Sequence, residues 1–416
     1  MNKWLVALLG FGLSVQAAAG GKLLVVGGAL TSSNEAVYRA LIDDAKGAPI
    51  AIVPVASGRP MHYANQFKRD LLHYGVDESA IHLVPLAVVD DSSTAVDESA
   101  WAGNAHNQKL VASLKNVRHY WFVGGDQTRI TQTLLTEQGK DTPLLAHIRA
   151  QLAAGGVVGG TSAGAAMMSA QMIAAGDSVS ALIAPASQDY PGMEAQEQGA
   201  LHIRKGLGFW PGVLVDQHFD RKARLGRLAA AMCEVPKVLG VGIDEDTGAW
   251  VDLSTNTFTA IGRGNVTVLN AADARCNWVQ GQRDIRDLEL SLLSRGDSYT
   301  LTSNKLTPAP GKHATRGNEA FGGAVVVGGG MAVGNQRLDE LLGFELLDNA
   351  DSDRVERWTH VKTASGVKTL RYVFGEQKSS QGYWAYLDGT KDMYTIGSAT
   401  FSILPGAVHL AKEVRP

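Results

Sequence analysis

The sequence predicts an α/β protein in which a mostly parallel sheet is covered by helices on both faces, with a smaller β-rich C-terminal module. Three observations carry this. From Lys22 onward, short continuous apolar runs such as "KLLVVGG", "PIAIVPVAS" and "HYWFVGG" alternate with segments of helical period. Strands covered on both faces read as unbroken apolar runs, so this alternation implies parallel strands joined by helices. From about Gly242 the texture changes to period-two alternation with tight turns, as in "GAWVDLSTNTFTAIGRGNVTVLN" and "LELSLLSRGDSYTL". Beyond these, "LRYVFG", "GYWAYLDG" and "ATFSILPGAVHL" carry aromatic and β-branched alternation.

The elements follow in order. "MNKWLVALLGFGLSVQAAAGG" begins with one lysine, continues with a short apolar run and ends in small residues. That is the layout of a secretory signal peptide over 1–19, and the run is too short to span a bilayer. After the first strand, Asn34 to Lys46 reads as a helix with Asn34 at its start and Gly47 as its stop. A second strand, a helix ending at Gly75 and the run "IHLVPLAVV" come next. "HYWFVGG" leads to a helix from about Asp126, Thr142 to Ala154 form another, and "VVGG" runs into the segment around Ser162. "GVLVDQHF" and "KVLGVGIDE" read as two more strands separated by a basic helical stretch. This first domain spans 20–303. "SNKLTPAPGKHATRGNE", with two prolines and small polar residues, reads as a linker over 304–318, and the β-rich module occupies 319–416.

Composition narrows the partners. A net charge of −3 in 416 residues lacks the dense basic surface that nucleic acid requires. No segment after the N-terminus is apolar enough to cross a membrane. Two cysteines, Cys233 and Cys276, provide neither a disulfide scaffold nor a cysteine-rich metal site, and their pairing is left open. A homodimer is compatible with the sequence, which does not set the oligomeric state.

Chemistry gathers where apolar runs end, the edge at which α/β sheets hold ligands. "VGGDQ", "GGTSAGA", "VDQHF" and "GIDE" all begin there, so four polar clusters are expected at one edge of one sheet. Ser162 is flanked by Gly159, Gly160, Ala163, Gly164, Ala165 and Ala166. Such crowding by small residues suits a sharp strand-to-helix turn that exposes one hydroxyl as a nucleophile. It equally suits a glycine-rich turn that packs a helix closely or cradles an anion. A serine nucleophile needs a base and a group to orient it. Of the eleven histidines, His218 has the best context, at the end of a strand beside Asp216 and Gln217. Glu245 is the candidate acid, with Asp244 and Asp246 as neighbouring competitors that periodicity does not separate. The order serine, histidine, acid departs from the serine, acid, histidine order of α/β-hydrolases.

These three residues, together with "PVASG", "FVGGDQ", "GTSAGA", "DQHF", "RLGRL" and "GIDE" in that order, resemble the cyanophycinases, a branch of the serine peptidases that includes aspartyl dipeptidase E. The resemblance implies a class I amidotransferase-like fold and a cofactor-free serine exopeptidase. Its expected substrate is cyanophycin, a poly-aspartate whose side-chain carboxyls carry arginine, and its expected products are β-Asp-Arg dipeptides. It further implies Ser162 as nucleophile, His218 as base and then acid, Glu245 as orienting acid, and Gly125 and Ala163 as oxyanion donors. Gln127, Asp216, Gln217, Lys222, Arg224 and Arg227 would line the substrate pocket. Lys222 stands where relatives carry arginine, which keeps the charge and loses the bidentate fork. The segment between the serine turn and "DQHF" is longer than in compact relatives and would shape the entrance. A dipeptidase for aspartyl or isoaspartyl peptides, and a non-catalytic anion-binding protein, remain the alternative expectations.

Overall fold

The computed structural model describes residues 20–325, 337–364 and 366–407, so the expected signal peptide over 1–19 lies outside the described residues. Five parallel strands form one half of a nine-stranded sheet, in the order β1-β5-β4-β2-β3. They are β1 (Lys22–Val26), β2 (Ile50–Val53), β3 (Ile81–Leu83), β4 (His119–Phe122) and β5 (Val157–Thr161). Beyond β1 the sheet continues antiparallel through Thr247–Asp252, Thr257–Gly262, Ser298–Thr300 and Lys305–Thr307.

Side chains alternate across this sheet as strand geometry requires. Leu24, Val26 and Trp121 pack on one face under the helices Glu35–Ala45 and Pro60–His73, with Phe67 stacked on Trp121 at a centroid distance of 4.4 Å. Leu23, Val25, Tyr120 and Phe122 pack on the other, against Leu144, Leu145 and Ile148 of the helix Pro143–Ala153. Each such aliphatic or aromatic side chain stabilises the fold by about 1.5–3 kcal/mol relative to leaving it in water. The first helix starts where expected, but the Asn34 side chain makes no cap. It donates instead to the Asp246 carbonyl and carboxylate at 2.7 and 2.9 Å, tying the helix to a distant turn.

The strands that end in "DQHF" and "GIDE" do not belong to this sheet, which corrects the expectation of one shared edge. Val213–Asp216 and Leu239–Ile243 run parallel to each other at the end of a second sheet. That sheet continues antiparallel through Val266–Asn270, Gln282–Leu293 and Lys391–Ala407. The reason is a change of partner: Leu239–Ile243 finds its second neighbour in Val266–Asn270, and the edge next to β1 is taken by Thr247–Asp252.

The β-rich C-terminal strands therefore extend a sheet that begins in the first domain. The hairpin Arg354–Thr363 and Gly366–Gly375 adds to Lys391–Ala407, as does Gln381–Leu387. Residues 304–318 are not the plain linker expected from their prolines. Lys305–Thr307 pairs with Ser298–Thr300, and His313–Ala314 pairs with Gln381–Leu387. Pro308 and Pro310 fall between these strands, where no ladder hydrogen bond is asked of them. The buried Lys312 ammonium donates to Ser294 and Asp297, each at 2.6 Å, which anchors the segment. Cys233 and Cys276 form a disulfide that joins the helix Leu225–Glu234 to the strand Arg275–Val279. Among the described residues, no helix is long and apolar enough to cross a membrane.

Candidate active site

Three glycines at the end of β1 and in the turn after β4 decide where the candidate residues sit. Val26 accepts the Ser162 N–H at 3.0 Å, and Gly27 accepts the His218 N–H at 2.6 Å. One strand end thus seats a residue from each sheet. Gly28, at φ +115°, passes so close under the imidazole that an added Cβ would lie 2.3 Å from a ring carbon of His218. Gly125, at φ +144°, leaves no room for a Cβ, which would meet the Ala56 carbonyl at 2.0 Å.

Ser162 occupies the turn between β5 and a single helical turn, Ala163–Ala166, at φ 55° and ψ −108°. A non-glycine residue holds such a backbone only where its surroundings leave no alternative. The small neighbours provide that constraint. A Cβ on Gly160 would fall 2.8 Å from the Gly164 backbone, and one on Gly164 would fall 2.6 Å from the Phe122 carbonyl.

The His218 Nε2 atom lies 2.9 Å from Ser162 Oγ, and its Nδ1 lies 2.6 Å from Glu245 Oε1. With Nδ1–H donated to the carboxylate, Nε2 is left as an acceptor for the serine hydroxyl. Burial holds the imidazole below its ordinary pKa, the Glu245 hydrogen bond works against that, and the charges of Lys222 and Arg224 add to the depression. The competing carboxylates are engaged elsewhere. Asp244 accepts from the N–H groups of Asp220 and Asn265 at 3.2 and 2.9 Å, and burial pushes its pKa up to about 7. Asp246 accepts from Thr31, Asn34 and Arg263.

Gly125 and Ser162 line one cleft of about 370 Å³, whose far wall carries Tyr38, Tyr63, Phe67 and Trp121. The Ala163 amide opens its helix and so has no acceptor within it. A small polar pocket that also reaches Ser162 and His218 brings together Gln127, Gln217, Arg224 and Arg227. Arg227 is spent on its wall, with Nε donating to Asp216 at 3.0 Å, a second nitrogen on the same carboxylate and a third on the Gly176 carbonyl at 2.7 Å. Arg224 holds the Gln217 carbonyl at 2.5 Å, and burial, with Arg227 beside it, pushes its pKa down to about 10. Gln127 donates to the Ile173 and Ala174 carbonyls at 3.0 and 2.8 Å. The Gln217 side-chain oxygen is buried at the pocket and finds no hydrogen-bond partner among the described residues. Lys222 stands at the rim and pairs with Glu197.

Glu197 was not anticipated. It comes from the long segment before "DQHF" and reaches over the pocket to within 3.8 Å of Arg224. Burial alone would raise its carboxyl, but Lys222 and Arg224 outweigh that and hold it below the usual carboxylate range. Only the unusual length of that segment hinted at such a residue. Gly28 carried no signal beyond its place after an apolar run.

The model for peptidase family S51 matches residues 23–259. A cyanophycinase of Synechococcus elongatus is 33% identical over 265 residues, covering 62% of this chain and 71% of the relative. A cyanophycinase of Nostoc sp. is 30% identical over 271 residues, covering 64% and 79%. A crystal structure of a peptidase from an acI-B1 Actinobacterium spans 68% of this chain and 98% of its own, at 22% identity and a TM-score of 0.45. The chain belongs to peptidase family S51 and is a serine-type peptidase in the company of the cyanophycinases.

Proposed function

We propose that the protein is an exported cyanophycinase that hydrolyses the poly-aspartate backbone to β-Asp-Arg dipeptides through an acyl-enzyme. The observation that carries the reading is the continuous path from Ser162 Oγ through His218 to Glu245, at 2.9 and 2.6 Å. Ser162 attacks the backbone carbonyl carbon while His218 Nε2 takes the hydroxyl proton and Glu245 holds the resulting imidazolium. The oxyanion is received by the N–H groups of Gly125 and Ala163, each contributing on the order of 3 kcal/mol to lowering the barrier. The C–N bond then breaks, and His218 delivers its proton to the departing amine. Water, deprotonated by the same nitrogen, attacks the ester and releases the product acid and Ser162.

The two pockets divide the substrate between them. The polar pocket takes the unit to be released: Arg224 meets its free carboxylate, and Glu197 and the Gln217 oxygen, which has no partner among the described residues, offer acceptors to its guanidinium. Arg227, Asp216 and Gln127 hold the walls in place. The wider aromatic cleft receives the neighbouring part of the chain. Export is supported by the three-part pattern of residues 1–19.

The test is incubation of purified protein with insoluble cyanophycin, with the products identified by mass spectrometry and the acyl-enzyme sought by intact mass after rapid acid quench. β-Asp-Arg from the wild type and none from Ser162→Ala is the expected result. Clearing of short isoaspartyl peptides with the polymer left intact would overturn the substrate assignment. Recovery from a bacterial culture medium of a chain that still starts at Met1 would overturn export by signal cleavage.

A further inference from the structure

The strands that lie outside the family match carry a second concave surface that the mechanism does not use. It has a volume of about 780 Å³ and shares no residue with either pocket at Ser162. Its walls are aromatic: Trp384 and Tyr386 stand edge to face at 4.6 Å, Tyr386 is 56% exposed and Phe321 is 42% exposed. Two carboxylates, Asp348 and Asp392, line the same hollow together with His313, and among the described residues no lysine or arginine does. Asp348 is satisfied internally by the Ala320 N–H at 2.8 Å and the Tyr394 hydroxyl at 2.7 Å. Asp392 accepts the Trp384 indole N–H on one oxygen at 2.8 Å, which fixes the ring beside the carboxylate. Among the described residues, the aspartate, glutamate, lysine and arginine side chains lining the hollow are thus these two acids alone.

Ring faces next to a carboxylate attract weakly hydrated planar cations. From this arrangement we propose that the hollow built by Phe321, Trp384, Tyr386 and Asp392 binds guanidinium side chains of the polymer, holding the enzyme on its substrate away from the catalytic centre. This rests on the reading of cyanophycin as substrate. Charge complementarity selects the ligand: each polymer unit presents one guanidinium, and the surface offers stacking faces plus an anionic acceptor. A chain held there by several units raises the local concentration of ends at Ser162, as any tethered second contact does.

The experiment uses the full-length protein as Ser162→Ala, so that bound polymer is not consumed, and as the active enzyme in parallel. Sedimentation with insoluble cyanophycin is compared for the parent and for Trp384→Ala/Tyr386→Ala, with Asp392→Asn as a milder second variant. The expected result is a fivefold or greater loss of bound protein in both variants, while the active enzyme carrying the same substitutions keeps its turnover of a soluble fragment of a few units. Quenching of tryptophan fluorescence by arginine amide, lost in the Trp384→Ala/Tyr386→Ala variant, provides a readout independent of the polymer. Unchanged sedimentation of both variants, with unchanged melting temperature, overturns the proposal. Parent protein that quenches with arginine amide but neither binds nor cuts cyanophycin would instead overturn the substrate reading.

Discussion

Replacing Glu245 by glutamine removes one charge and keeps the shape of the side chain. The carboxylate sits 2.6 Å from Nδ1 in a site where the imidazole is 15% and the carboxylate 28% exposed, so water screens the pair only in part. At a separation of about 4 Å between charge centres and an effective dielectric of about 20, the imidazolium gains about 4 kcal/mol from the carboxylate, or roughly a thousandfold in rate. A glutamine amide can also turn its NH₂ toward Nδ1, forcing the proton onto Nε2, where it blocks acceptance from Ser162. The combined loss in kcat is then about 10⁴, as for removal of the orienting acid in other triads. The assay is the initial rate of dipeptide release, with thermal melting to verify the fold. A second consequence concerns pH. Because Glu245 works against the depression of the His218 pKa, the acid limb of any residual activity moves further below the ordinary imidazole value of about 6.5. A loss under about tenfold in a folded variant, or a larger loss in folded Asp244→Asn, would refute the assignment of the acid.

Three further outcomes follow from the same geometry. Gly28→Ala places a methyl 2.3 Å from the His218 ring and should lower turnover by about 10² or more, because a displacement of an ångström costs that much; wild-type rates would show that the strand end yields. Lys222→Met removes a charge that depresses the His218 pKa. Since the base must be neutral, activity is lost as pH falls through that value, so the acid limb of kcat/KM should move upward, and a downward move would contradict the sign. Cys233→Ala opens a disulfide closing a sequence separation of 43, worth about 4 kcal/mol by loop-closure entropy; urea unfolding of the oxidised parent and the variant measures it, and equal midpoints would remove the bond from the stability account.

Much of the architecture was readable because it is local. The apolar runs at β1, β2, β4 and β5 are strands buried on both faces, and such burial leaves a plain mark in composition. The prolines at 308 and 310 misled for the opposite reason. They mark a break in local structure, while the pairing of Lys305–Thr307 and His313–Ala314 on either side depends on strands brought from elsewhere.

The candidate site divides the same way. Residue type and order picked out the candidate groups: a serine among glycines and alanines, a histidine after an apolar run, an acid after another. These are properties of a short stretch of chain, where backbone crowding and strand ends are written into a few neighbouring residues. The tertiary structure alone decided that Ser162 and His218 arrive from different sheets and meet over the end of β1. Periodicity left Glu245, Asp244 and Asp246 open and only the family resemblance favoured Glu245; the tertiary structure put Glu245 against the imidazole, engaged the other two elsewhere, and brought Glu197 over Arg224. Contacts between residues 56 positions apart, as for Ser162 and His218, are set by how sheets pack and which strand edges remain free. No run of neighbouring residues encodes that.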